Sequence, residues 1–223
     1  MLTNMIIKNI NFPIYYVMIL LSLIISLIYI FKALKENNIN IIYNYSLLYM
    51  ISAFIFGILF TLISHLPKIE IGLTSYGCGI GVIILSLILR KYLNINDLFK
   101  YTIISLPLTY SIAKIGCFFT GCCVGIPYSG ILSITYIDKS NISLFPIQLL
   151  ETIVFFIVFL ICNKLKNKKN IIYITLIMCS ICKFLLDFLR YEHIYKPITI
   201  NQIISILIIG FIVILYKKKK LMY

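Results

Sequence analysis

Residues 114–125 read KIGCFFTGCCVG and place one lysine, three glycines and three cysteines in a chain that is otherwise strongly apolar. A lysine at membrane depth costs at least ~2.5 kcal/mol to insert, so Lys114 asks for an anion, a carboxylate or water beside it. Gly116, Gly121 and Gly125 let the backbone leave the helix and expose N–H groups, a geometry tolerated in a bilayer only where it lines a protein-enclosed cavity. A cation beside open backbone is an arrangement that holds phosphate. The competing reading is a helix that surfaces at Lys114, whose side chain snorkels, followed by an ordinary glycine-rich loop.

A second group lies further along. Cys179, Lys183, Asp187 and Arg190 recur at steps of four, four and three, which puts them on one helix face. An intramembrane Lys183–Asp187 pair accounts for two of them without any function, and Arg190 alone reads as a loop residue. The run FPIQLLE at 145–151 supplies Gln148, a helix-packing hydrogen bonder, and Glu151, a carboxylate favoured near a helix N-terminus. Lys114, Lys183 and Arg190 set against Glu151 and Asp187 leave one surplus positive charge, which suits the single negative charge of a phosphodiester head group.

In LTSYGCGIG, at 73–81, Tyr76 is the bulky polar exception among small residues that equally serve close helix packing. His65 and His193 stand at the ends of apolar segments and read as interfacial. Cys117, Cys122 and Cys123 lack a C-x-x-C pair or a suitably spaced histidine, so no metal and no covalent nucleophile is assigned to them. P-loop, GxSxG, HExxH and dinucleotide fingerprints are absent, and no cofactor is assigned.

The elements that must position these groups are membrane helices. The chain is 61% hydrophobic and 12% charged, with a mean hydropathy of +1.04, values that exclude an ordinary soluble domain. Its net charge of +13 falls in short clusters between apolar runs, which is topology information and not a nucleic-acid footprint. Cysteines inside apolar runs behave as small hydrophobes, and no disulfide framework is expected. Lys8 precedes an apolar run too long for a signal-peptide core, so that run is kept as the first span.

Seven segments, near 12–31, 46–65, 71–89, 101–119, 145–162, 171–189 and 201–216, are long enough or nearly so to cross. With the N-terminus outside, thirteen basic residues fall on the cytoplasmic side and five outside. The expected fold is therefore an all-α polytopic membrane protein: one integral membrane domain over 1–223, seven spans, N-terminus outside, C-terminus cytoplasmic. Residues 120–144 form a small extracytoplasmic cap, with a turn at 125–130 and a short strand within 132–137.

KIGCFFTGCCVG resembles the signature of the prolipoprotein diacylglyceryl transferases, an integral membrane family whose pattern is roughly GRIGNF-x-N-G-x-x-x-G, with GCCYG variants. Other pieces follow in the family's order. SYGCGIG at 75–81 resembles its HGG segment, FPIQLLE at 145–151 its HP-x-QLYE, and CSICKFLLDFLR at 179–190 its FR-x-x-x-EF-x-R. ITINQIIS at 198–205 resembles its S-x-x-Q-x-x-S, and PIYYVM at 13–18 the start of its first span, with Tyr16 matched to a functional tyrosine.

The resemblance implies that Lys114 and Lys183 stand for arginines gripping the phosphate of phosphatidylglycerol, Asp187 for a glutamate, Arg190 for the following arginine and Gly125 for a required glycine. It makes Tyr76, Lys114, Lys183 and Asp187 catalytic. Tyr16, Gly77, Gly116, Cys117, Gly121, Gly125, Gln148, Glu151, Arg190 and Gln202 become substrate-binding. Tyr76 replaces the histidine often proposed as base, Cys117 an asparagine, Cys122 a glutamate of some members and Cys179 a tyrosine of others. Lysine for arginine keeps the charge and loses bidentate phosphate recognition.

The implied reaction moves a diacylglyceryl group from phosphatidylglycerol to the thiol of the lipobox cysteine in a prolipoprotein signal peptide, releasing glycerol 1-phosphate. Its partners are membrane lipid and that peptide, and its setting is the bacterial cell membrane. Two alternatives stay open: a divergent paralogue that binds phospholipid but modifies another acceptor or is inactive, and a nonenzymatic membrane lipid-binding protein or small transporter. A transporter is expected to show repeats in two halves, and none is found.

Overall fold

The computed structural model describes residues 5–7, 13–35, 39–64, 72–93, 97–136 and 142–217. His65, Lys68, Lys139 and the end of the strand expected within 132–137 lie outside them. Among the described residues seven α-helices follow the apolar segments: α1 Pro13–Leu34, α2 Ile39–Ser64, α3 Ser75–Tyr92, α4 Leu98–Thr120, α5 Ile147–Lys164, α6 Ile171–Asp187 and α7 Ile200–Lys217. Among the described residues all but α6 are long and apolar enough to cross a membrane; α6 has 17 residues. Their outward faces stay apolar, as in α7, where Leu207 and Phe211 are 65% and 61% exposed. Such surfaces suit lipid and would be costly in water.

Three short strands among the described residues depart from a purely helical reading: β1 Met5–Ile7, β2 Ile134–Tyr136 and β3 Ser143–Leu144, in the order β1-β2-β3. β1 pairs with β2 in parallel, Met5 opposite Ile134, and β2 with β3 antiparallel, Ile134 opposite Leu144. Ile134, Tyr136 and Leu144 pack with Phe118, and the Tyr136 hydroxyl donates to the Phe118 carbonyl at 2.9 Å. The sheet is thereby fastened to the last turn of α4.

The chain divides into two compact units, Leu23–Leu106 and Met1–Ser22 with Pro107–Tyr223. In the first, α3 starts at Thr74, whose hydroxyl accepts from Gly77 N at 3.4 Å as a helix N-cap. α3 packs on α2. A Cβ on Gly81 would sit 2.5 Å from the Ser52 carbonyl, and one on Gly77 would collide with the Phe56 carbonyl. The small residues of this segment thus serve close helix packing. Tyr45 anchors the unit's polar interior through a 2.9 Å bond between its hydroxyl and that of Thr102.

In the second unit α5, α6 and α7 pack in sequence. The chain leaving α4 forms a ladder with two other segments. Ile126 N donates to the Leu189 carbonyl at 3.0 Å, Tyr191 N to Val124 at 3.1 Å and Phe145 N to Ile126 at 2.9 Å. That ladder fixes residues 189–191 beside the glycine-rich loop.

Candidate active site

Tyr110 and Lys114 lie four residues apart on α4 and share a face. Beside them α5 is locked in register by two reciprocal bonds, Ser111 Oγ to the Thr152 carbonyl at 2.9 Å and Thr152 Oγ1 to the Ser111 carbonyl at 3.2 Å. This register delivers Glu151 to both α4 residues. Its carboxylate accepts Lys114 Nζ at 2.8 Å on Oε2, and Arg190 at 2.5 Å and the Tyr110 hydroxyl at 3.0 Å on Oε1. Glu151 is 1% exposed. It sits in the second turn of α5, and cations, not the helix dipole, hold its charge.

Arg190 links this carboxylate to a second. Its Nε lies 3.4 Å from Asp187 Oδ1, where Asn201 Nδ2 also donates at 3.2 Å. The Thr199 hydroxyl donates to Asp187 Oδ2, and His193 Nε2 lies 3.5 Å from the same oxygen. Asp187 ends α6, where the helix dipole disfavours an anion, so these partners offset an otherwise costly charge. His193 therefore turns inward, against the interfacial reading. Burial works against the Arg190 charge, but Glu151 and Tyr110 outweigh it and keep its pKa above the ordinary arginine value.

Lys183 reaches the network through an aromatic ring. Its Nζ lies 4.6 Å from the Tyr110 ring centroid and Lys114 Nζ 5.1 Å from it, both cation–π contacts. Lys114, Lys183 and Arg190, from two helices and a loop, thus meet around one tyrosine and two buried carboxylates. Three basic side chains stand beside two carboxylates.

The remaining residues fall into three groups. Gly125 forms an antiparallel bridge with Arg190; a Cβ there would strike the Phe145 carbonyl and sit 3.1 Å from that of Leu189. Gly116 meets Met18, whose Cβ is 2.9 Å from where its own would be, so α1 packs directly on α4. Gln148 Nε2 donates to the Cys122 carbonyl at 2.8 Å, Gly121 ends α4 with φ 61°, and Cys117 is buried on the last turn.

Gln202 completes a capping box at the start of α7. Gln202 N donates to Thr199 Oγ1 at 3.3 Å and Thr199 N to Gln202 Oε1 at 3.2 Å. The side-chain Nε2 of Gln202 is buried without a hydrogen-bond partner among the described residues. Tyr16 is 38% exposed on the first turns of α1, edge-on to Tyr15. Tyr76 and Gly77 belong to the other unit, on the first turn of α3, where Tyr76 lies against Phe60.

Sequence reasoning passed over Tyr110, Thr199 and Asn201. The threonine was findable, since Thr-x-x-Gln before an apolar run is a helix-start signature. It also missed that the Sγ atoms of Cys117, Cys122 and Cys123 lie within 4.8 Å of one another.

Lipid-facing helices that carry an enclosed network of charges define a multi-pass membrane protein. The chain belongs to the prolipoprotein diacylglyceryl transferase family, whose model matches residues 3–217. It is similar to phosphatidylglycerol–prolipoprotein diacylglyceryl transferase 2 of Clostridium perfringens (strain 13 / Type A), with 27% identity over 155 residues, 65% of this chain. The match spans 60% of that relative's length.

Proposed function

We propose that the chain transfers a diacylglyceryl group from phosphatidylglycerol to the lipobox cysteine thiol of a prolipoprotein signal peptide, releasing glycerol 1-phosphate. The observation that carries this reading is the convergence of Lys114, Lys183 and Arg190 on Tyr110, beside two buried carboxylates. In the reaction the thiolate forms a C–S bond to the glyceryl carbon, and the C–O bond to phosphate breaks with its electron pair on oxygen. A phosphodiester monoanion thereby becomes a phosphomonoester that carries more negative charge. Cations held in a dry site favour that change more than they favour the bound substrate.

In this reading Glu151 and Asp187 are positioning residues that aim the cations, and Gln202 Nε2 supplies a neutral donor to the head group. Gly116, Gly121 and Gly125 shape the loop, with Cys117 and Gln148 beside it and Tyr16 near the lipid. The chain acts as one integral membrane domain with seven spans, an external N-terminus, a cytoplasmic C-terminus and an extracytoplasmic cap at 120–144, in a bacterial plasma membrane. It requires no cofactor.

Expression in cells depleted of their own transferase tests this reading. Restored thioether lipidation of a reporter lipoprotein is the expected result. A well-inserted chain that restores none overturns it and leaves the phospholipid-binding paralogue, which the lysines at positions otherwise held by arginine favour.

Deprotonation of the acceptor thiol, with a pKa of about 8.5, falls to Tyr76 in this reading. A phenol with a pKa of about 10 needs a nearby cation or phosphate oxygen to act as base, so its contribution sits at the low end for general bases. Tyr76→Phe is expected to slow transfer roughly 10²-fold, with the deficit shrinking as pH rises toward the thiol pKa. Full activity of that variant removes the role.

A further inference from the structure

We propose that Cys117, Cys122 and Cys123 form a three-thiolate site for one thiophilic cation of the Zn2+, Cd2+ or Cu+ class. The sequence hides the site because its spacing is set by a helix end. α4 closes in a Schellman turn: Gly121 takes φ 61°, its N–H donates to the Phe118 carbonyl at 3.4 Å, and the Cys122 N–H donates to the Cys117 carbonyl at 3.2 Å. That closure places Cys122 over Cys117. Cys123 then adopts φ 53°, a left-handed conformation that disfavours an L side chain, and the three Sγ atoms come within 4.8 Å of one another.

A metal–sulfur bond of about 2.3 Å in a trigonal site sets the sulfurs about 4.0 Å apart, so small side-chain rotations bring all three into reach. Cys117 is buried, Cys122 half-buried and Cys123 exposed, which gives an anchored site with an open side. The loop is braced by the Gln148 bond to the Cys122 carbonyl at 2.8 Å. Thr120 Oγ1 donates to the Gly116 carbonyl at 3.0 Å and lies 3.6 Å from Cys122 Sγ, so it closes the helix end beside the thiols.

Close packing of small apolar side chains is the competing account. A Schellman turn brings its third-from-last and second-following residues together in any case, which covers Cys117 and Cys122. It leaves the strained, exposed Cys123 without a reason to turn back onto them.

Cadmium titration of the full-length chain, purified in detergent, tests the site through thiolate-to-metal charge-transfer absorption, whose intensity follows the number of bound sulfurs. One tight ion per chain is expected. Cys123→Ser, a change at an exposed position, should remove about a third of the absorption and weaken binding at least tenfold, whereas Cys179→Ser should change neither. A wild-type chain without a tight band, or a band that Cys123→Ser leaves unchanged, overturns the proposal. Neither result bears on lipid transfer, which the titration does not measure.

Discussion

Glu151→Gln should abolish diacylglyceryl transfer, with a loss of 10³-fold or more, and should lower the folded protein's stability by about 3–5 kcal/mol. The glutamine fills the same space, so the effect comes from charge alone. Glu151 receives Lys114 on one oxygen and Arg190 with Tyr110 on the other, and both cations are nearly inaccessible to water. Arg190 keeps Asp187 when the carboxylate is lost; Lys114 loses its 2.8 Å salt-bridge partner. Thermal unfolding in lipid nanodiscs, read beside transfer to a signal-peptide thiol, checks both effects. The double variant Glu151→Gln/Lys114→Met removes the stranded charge and should recover much of the stability while staying inactive, a non-additivity that only a direct pair produces. Unchanged melting in the single variant would mean that the pair is not a structural unit.

The helices were legible because apolar runs of about twenty residues have few other homes. Lys183 and Asp187 were legible as a face because steps of four are geometry, and a cation inside an apolar run already asks for a partner. What the sequence hid is informative. Tyr110 and Asn201 are neutral polar residues within or beside apolar segments, where packing, capping and ligand support look alike on paper. The pairing of Met5–Ile7 with Ile134–Tyr136 joins distant stretches of chain by backbone bonds that side-chain patterns do not encode. The thiol cluster escaped because its signal is a left-handed glycine at a helix end, not a ligand spacing. Glu151 was visible as a carboxylate, but its task was not, since the register bonds of Ser111 and Thr152 that aim it at Lys114 appear only in the fold.

Lys183→Met should separate catalysis from folding more sharply than any change at Glu151. Methionine keeps the length and flexibility of the side chain on α6 and deletes only the ammonium. The variant leaves Lys114, Arg190 and Tyr110 on Glu151, and Arg190, Thr199, Asn201 and His193 about Asp187. Three basic side chains beside two carboxylates become two, so the ammonium assigned to the lipid phosphate is gone. Stability should stay within about 1 kcal/mol of wild type, because removing a buried ammonium also removes its desolvation penalty. Transfer should fall by about 10³-fold. The loss should appear mainly in kcat, since negative charge grows on the phosphate as the C–O bond breaks and the missing cation matters most there. Lys183→Arg restores the charge over the Tyr110 ring and is expected to return most of the rate, with a guanidinium that can also grip phosphate through two bonds. A methionine variant with normal kcat, or an arginine variant as inactive as methionine, would show that Lys183 serves the helix and not the lipid.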